Sequence, residues 1–132
     1  MSLPRVLIVD DARFMRMMLT DLFSRCGLEV VGHACDGAEA LVKFRETRPD
    51  VVTMDIMMPG TDGLQALRNL IAEDPRARVI IISALEHAHL VSEALAAGAA
   101  RYVVKPFSPE QVVDIVKIVA EESNRGAATV EP

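Results

Sequence analysis

Short apolar, β-branched runs alternate with helical patterns along this chain, and that alternation constrains the fold more than any other feature. The runs are Arg5 to Val9, Glu29 to Val31, Val51 to Met54, Arg78 to Ile82 and Tyr102 to Val104. The first, third and fourth are nearly continuous in hydrophobicity, as strands covered on both faces are. The Glu29 run is shorter and more polar, which suits an edge strand.

The intervening segments have apolar residues at a period near 3.6. The first carries Met15, Met18, Leu19, Leu22, Phe23 and Cys26 on one face, with Gly27 as a stop. The second opens on Asp36-Gly-Ala-Glu39, a D-x-x-E sequence resembling a capping box, and buries Ala40, Leu41 and Phe44. The third runs from about Asp62 through Leu64, Leu67 and Ile71 and ends before Pro75; the fourth covers roughly His87 to Ala97 and stops at Gly98. The fifth opens on Ser108-Pro109-Glu110-Gln111, with Ser as N-cap and Pro at the first helical position. Five strands alternating with five helices predict an α/β fold built on one doubly wound, five-stranded parallel sheet of order 2-1-3-4-5.

Composition removes several function classes. At 132 residues the chain suits one domain with a full core, and its two cysteines, Cys26 and Cys35, form no disulfide framework and point to a reducing compartment. No apolar run approaches a membrane span or a signal segment, so a soluble, cytoplasmic protein without a membrane partner is expected. The net charge of −5 and the absence of Trp argue against nucleic acid. Four arginines in the first 25 residues, Arg5, Arg13, Arg16 and Arg25, read as a solvated helix face.

The chemistry gathers at the carboxyl ends of the strands, where doubly wound sheets bind ligands. There the chain places Asp10-Asp11, Asp55, Ser83 and Lys105-Pro106 after four different strands. Carboxylates converging in one crevice repel, by about 4 kcal/mol per pair at 4 Å and an effective dielectric of 20. A cation among them resolves this, and an all-oxygen donor set selects a hard ion, Mg²⁺ or alternatively Mn²⁺. Metal, ammonium and hydroxyl together suit a phosphoryl group. A carboxylate can itself accept that group as an aspartyl phosphate, and Asp55, alone on the central strand, is the expected acceptor. Asp10 and Asp11 are then left to share the metal.

The run Val9-Asp10-Asp11, the run Met54-Asp55-Ile-Met-Met-Pro59-Gly-Thr-Asp-Gly63, then Ser83-Ala84 and Lys105-Pro106-Phe107 resemble the response-regulator receiver domain. The resemblance spans about residues 4 to 122, leaving residues 123 to 132 as an expected flexible tail after a receiver domain of residues 1 to 122. It implies the flavodoxin-like receiver fold, a Mg²⁺-dependent transfer from a histidine kinase onto Asp55, and metal ligands Asp10, Asp11, Asp55 and the backbone carbonyl of Met57. It implies that Lys105 binds the phosphoryl group, that Ser83 is the switch hydroxyl and Tyr102 the switch aromatic, and that Lys105-Pro106 is cis. Helix 4, strand 5 and helix 5, with Val91, Leu95 and Tyr102, would form the face that changes affinity for a target. Phe14 to Leu19 and the stand-alone length are closer still to the chemotaxis members of the family, whose target is the flagellar motor switch. A monomer, and service by a dedicated phosphatase, go with that reading. Alternatives within the family are a relay receiver and a receiver cut from a regulator with an output domain.

Met57 and Leu85 depart from relatives that carry polar residues there, and both are expected to slow loss of the phosphoryl group by failing to orient water. An aspartate-nucleophile phosphatase needs a second Asp where Met57 stands, so the chain is expected to catalyse only its own phosphorylation and dephosphorylation. A nucleotide or flavin binder needs a Gly-rich phosphate loop, which is missing. His33 with Cys26 and Cys35 fits no zinc spacing. The clustered methionines read as core, except Met17, Met57 and Met58 at the pocket border, and Asp50 and Asp62 read as turn or cap residues.

Overall fold

The alternation along each strand decides which layer a side chain joins. In the computed structural model, which describes residues 3–58 and 60–125, β1 (Arg5–Val9) sends Val6 and Ile8 to one face and Leu7 and Val9 to the other. β3 (Val51–Met54) and β6 (Val79–Ser83) split the same way, and both are buried along their whole length. The side holding Val6, Ile8, Ile80 and Ile82 is covered by α1 (Arg13–Arg25) and α5 (Pro109–Arg125). The side holding Leu7, Val9, Met54 and Ile81 is covered by α2 (Gly37–Thr47), α3 (Gly63–Glu73) and α4 (Ala88–Ala96).

With β2 (Glu29–Ala34) and β7 (Arg101–Val104), these strands form an all-parallel sheet of order β2-β1-β3-β6-β7. This is the predicted order 2-1-3-4-5 of the five long strands. The numbering shifts because a two-strand hairpin, β4 (Met57–Met58) against β5 (Thr61–Asp62), intervenes. Strands of two residues are too short to leave a periodicity in the sequence. β2 and β7 are the edge strands, and the register of β2 against β1 slips between Val6 and Leu7, where Gly32 lets Leu7 pack close.

Capping follows the sequence signals. Asp36 accepts the Glu39 N–H at 2.8 Å, and Glu39 reaches back to the Cys35 N–H at 2.8 Å. Ser108 accepts the Gln111 N–H at 3.1 Å. Asp62 caps α3 through Leu64 N–H and Gln65 N–H, and Asp50 accepts the Arg5 N–H across the start of β1. Several placements differ from the sequence expectation, among them β2, which runs on from Val31 to Ala34. Met18, put on the buried face of the first helix by its spacing, is exposed, because Leu19 and Phe23 fill the contact with the sheet. Met58, expected at the pocket border, is buried in the α2–α3–α4 layer. α5 continues to Arg125, three residues into the segment expected as tail; residues 126–132 lie outside the described residues.

Candidate functional site

The switch between crossovers at β1 and β3 opens a crevice at the carboxyl edge of the sheet. Asp10 follows β1 and Asp55 follows β3, tied side by side to the ends of their neighbours: Asp10 N–H donates to Ala34 O, and Asp55 N–H to Val9 O. Both are buried, whereas Asp11 is exposed. One carboxylate oxygen from each of Asp10, Asp11 and Asp55 lies within 4.8 Å of the others.

Lys105 enters from the end of β7, its N–H on the Ser83 carbonyl at 2.8 Å and its bond to Pro106 cis. Its Nζ stands 3.0 Å from Asp55 Oδ2 and 3.4 Å from Asp10 Oδ2. The other oxygens of those carboxylates are held by the backbone: Met57 N–H donates to Asp55 Oδ1, and Ala12 N–H to Asp10 Oδ1, both at 2.9 Å. Burial pushes the Asp10 carboxyl above its ordinary pKa, the Ala12 N–H and Lys105 working against it and the Asp55 charge with it. Burial also opposes the Lys105 ammonium, but the Asp55 hydrogen bond and both negative charges outweigh it and raise its pKa.

Three carboxylates thus face a single lysine ammonium. The donors are all oxygen, they converge, and Asp11 leaves the mouth open to water. This set fits a hard divalent cation that keeps part of its hydration shell.

Two other expected residues form a second linked group. Ser83, fully buried at the end of β6, accepts the Leu85 N–H on its hydroxyl at 3.1 Å. Tyr102 donates its hydroxyl to the Leu85 carbonyl at 2.6 Å. Leu85 therefore joins Ser83 to Tyr102 through its main chain, which no side-chain signal could have announced. Burial raises the Tyr102 pKa, with the Ser83 hydroxyl pulling the other way and the Asp55 charge adding to it. Met57 projects from β4 with 54% of its surface exposed, and Leu85 is half-buried.

Gly63 has a steric duty that the motif conceals. A Cβ there would overlap the Ile56 backbone, so only glycine lets α3 start against the loop that follows Asp55. Arg16 departs from the solvated face expected of it. It is half-buried, and its Nη1 donates to the Asp10 carbonyl at 2.6 Å. The cysteines are free, and His33 bonds to Thr20 rather than joining them. No helix among the described residues is long and apolar enough to cross a membrane.

Comparison with known proteins places this geometry. A family model, the response regulator receiver domain, matches residues 6–117. The chain is 48% identical over 117 residues to the chemotaxis protein CheY of Thermotoga maritima, covering 89% of this chain and 98% of that one. It is 46% identical over 112 residues to CheY of Bacillus subtilis, covering 85% and 93%. Among solved structures, a chain of the CheX–CheY–BeF3–Mg²⁺ complex of Borrelia burgdorferi superposes with a TM-score of 0.83 at 41% identity, covering 87% of each. The receiver domain of Thermotoga maritima CheB superposes with a TM-score of 0.80 at 38% identity, covering 98% and 99%.

Proposed function

The chain belongs to the response-regulator receiver family, and from that premise we propose that it takes a phosphoryl group from a histidine kinase onto Asp55 and signals in chemotaxis. The observation that carries this reading is the Lys105 ammonium set between Asp10 and Asp55, with Asp11 converging on the same point. The similarity to CheY proteins supports the chemotactic role.

Asp10, Asp11, Asp55 and the Met57 carbonyl would hold Mg²⁺, with Mn²⁺ as the alternative; when bound, the ion neutralises charge on the transferring phosphoryl oxygens. The Asp55 carboxylate attacks the phosphorus of the donor phosphohistidine. The O–P bond forms as the P–N bond breaks, and the imidazole nitrogen takes a proton from solvent. Met57 N–H fixes the rotation of the carboxylate through Oδ1. Lys105 already contacts Oδ2 and moves onto the phosphoryl oxygens as they arrive.

The switch reads out that charge. The Ser83 hydroxyl leaves the Leu85 N–H for the phosphoryl group, and the Leu85 carbonyl carries Tyr102 with the loop. Val91, Leu95 and Tyr102 lie on the α4–β7–α5 face that this would remodel, and Leu95 is 46% exposed there. A flagellar motor switch protein is the proposed target. The Borrelia neighbour, held in a complex with CheX, supports a protein partner. The chemistry stays within the chain's own phosphorylation and its reversal. We assign residues 1–122 to the receiver domain and take it to act in the cytoplasm as a monomer.

Intact mass after incubation with Mg²⁺ and acetyl phosphate tests the reading. A single-phosphoryl gain is expected in the parent and none in Asp55→Asn. A gain retained in Asp55→Asn would move the acceptor elsewhere; no gain in the parent would overturn the proposal.

A further inference from the structure

The Asp11 carboxylate has no hydrogen bond holding it among the described residues, yet it must point at Asp10 and Asp55 for the site to close on a cation. What orients it is the peptide plane joining Asp10 to Asp11. We propose that Arg16 is a positioning residue that clamps this plane and keeps the acidic pair convergent; the inference rests on the cation-binding reading of the site given above.

Every polar atom of Asp10 has a partner, and the sources differ. Its N–H goes to Ala34 in the sheet, Oδ1 to the Ala12 N–H in the turn, and Oδ2 to Lys105 in the crevice. Its carbonyl alone is held by a side chain from the helix beyond the turn, Arg16 Nη1 at 2.6 Å. A guanidinium keeps its charge at any working pH and presents its donors in a rigid plane, so the peptide oxygen is fixed in direction as well as distance. Rotation of that plane would swing Asp11 away from the other carboxylates.

Arg16 is itself anchored. Its N–H bonds to Ala12 O at 3.1 Å, closing the first turn of α1 on the same loop. Thr20 donates its hydroxyl to the Arg16 carbonyl at 2.7 Å, which leaves that hydroxyl to accept from His33 Nε2–H, also at 2.7 Å. His33 lies on β2, the neighbour of β1. The run His33–Thr20–Arg16–Asp10 thus ties the helix turn to the sheet, and Arg16, His33, Cys35 and Glu39 line one small cavity of about 190 Å³ beside it.

Charge and geometry predict opposite outcomes, which makes the clamp testable. If Arg16 acted only as a nearby positive charge, removing it would tighten cation binding. If it positions the pair, removing it weakens binding, in the range of roughly 10-fold seen when groups behind metal ligands are lost. The experiment titrates Mg²⁺ by calorimetry at fixed ionic strength into the parent, Arg16→Met, Arg16→Lys and Asp11→Ala. Amide hydrogen exchange at Asp11 and Ala12 is measured alongside without metal. We expect Kd about tenfold weaker in Arg16→Met, partial recovery in Arg16→Lys, and faster exchange at both amides in Arg16→Met. Binding equal or tighter in Arg16→Met overturns the clamp alone, while Mg²⁺ binding that fails in the parent, or survives Asp11→Ala, overturns the site reading and the clamp with it. If Arg16→Met does not fold, Arg16→Lys decides: unchanged affinity together with unchanged exchange overturns the proposal.

Discussion

Two groups of aspartates lie along the same edge of the sheet and are used in opposite ways. In the groove between α2 and α3, about 600 Å³ in volume, Asp36 and Asp62 each sit at a helix N-terminus and accept backbone N–H groups. Charge and hydrogen bonding agree there, because a helix start favours an anion. In the crevice between β1 and β3, Asp10, Asp11 and Asp55 face one another with one lysine ammonium among them. The same side chain stabilises the fold in the first region and stores repulsion in the second. Three carboxylates with one ammonium among them are a set that a further cation would stabilise.

The sharpest way to break this contrast is to remove the lysine. Lys105→Met leaves buried carboxylates without their ammonium, and removing one partner of such a group costs about 3 kcal/mol or more. Urea unfolding in metal-free buffer at neutral pH should show that loss. A change below about 1 kcal/mol would mean that the crevice is solvated well enough to need no counter-charge.

A smaller effect concerns what borders the crevice. Met57 and Leu85 carry no side chain that could hydrogen-bond a water, so on the proposed phosphorylation of Asp55, Met57→Asn and Leu85→Glu should shorten the lifetime of the phosphorylated protein. On the order of tenfold each, or about 1.4 kcal/mol, is the modest end of what orienting a water supplies. Release of phosphate from purified phosphoprotein measures it, and unchanged lifetimes would show that the apolar pair does not set the rate.

The caps give the counterpart. Asp36→Ala and Asp62→Ala should each cost about 1 kcal/mol in unfolding free energy, the usual worth of an N-cap. Asp11→Ala should leave the metal-free midpoint unchanged or raised, because it relieves repulsion and breaks no hydrogen bond. A loss in Asp11→Ala equal to that of the caps would erase the distinction between the two regions.

The long strands and the helices that cover them were legible because burial on both faces leaves continuous apolar runs, as in Val79 to Ile82. The residues that converge were legible because parallel topology brings strand ends together whatever their distance along the chain. Lys105 meets Asp10 across 95 positions for that reason alone. What stayed hidden depends on main-chain atoms or on sterics. The β4–β5 hairpin is too short to carry a period, and Leu85 acts through its N–H and carbonyl. Gly63 matters for the Cβ it lacks. Arg16 looked like any helix-surface arginine, since nothing in the spacing tells that its side chain turns back to a strand end.

His33, on the edge strand β2 and bonded to Thr20 of α1, supplies the smallest predicted effect. Burial lowers its pKa below the ordinary value, and the Arg16 charge adds to this. Cys35 and Glu39 of the adjoining turn and helix line the same cavity, but neither is hydrogen-bonded to the ring. The folded state therefore prefers neutral His33, and the unfolded chain binds the proton more readily. This contribution is complete above the unfolded value near pH 6.5 and is lost as pH falls through it toward the lower folded value. His33→Gln, which can still donate toward Thr20, should flatten that part of the stability profile between about pH 7 and pH 5. Thermal midpoints across the range measure it. A parent and variant that fall in parallel would show that His33 does not carry that slope.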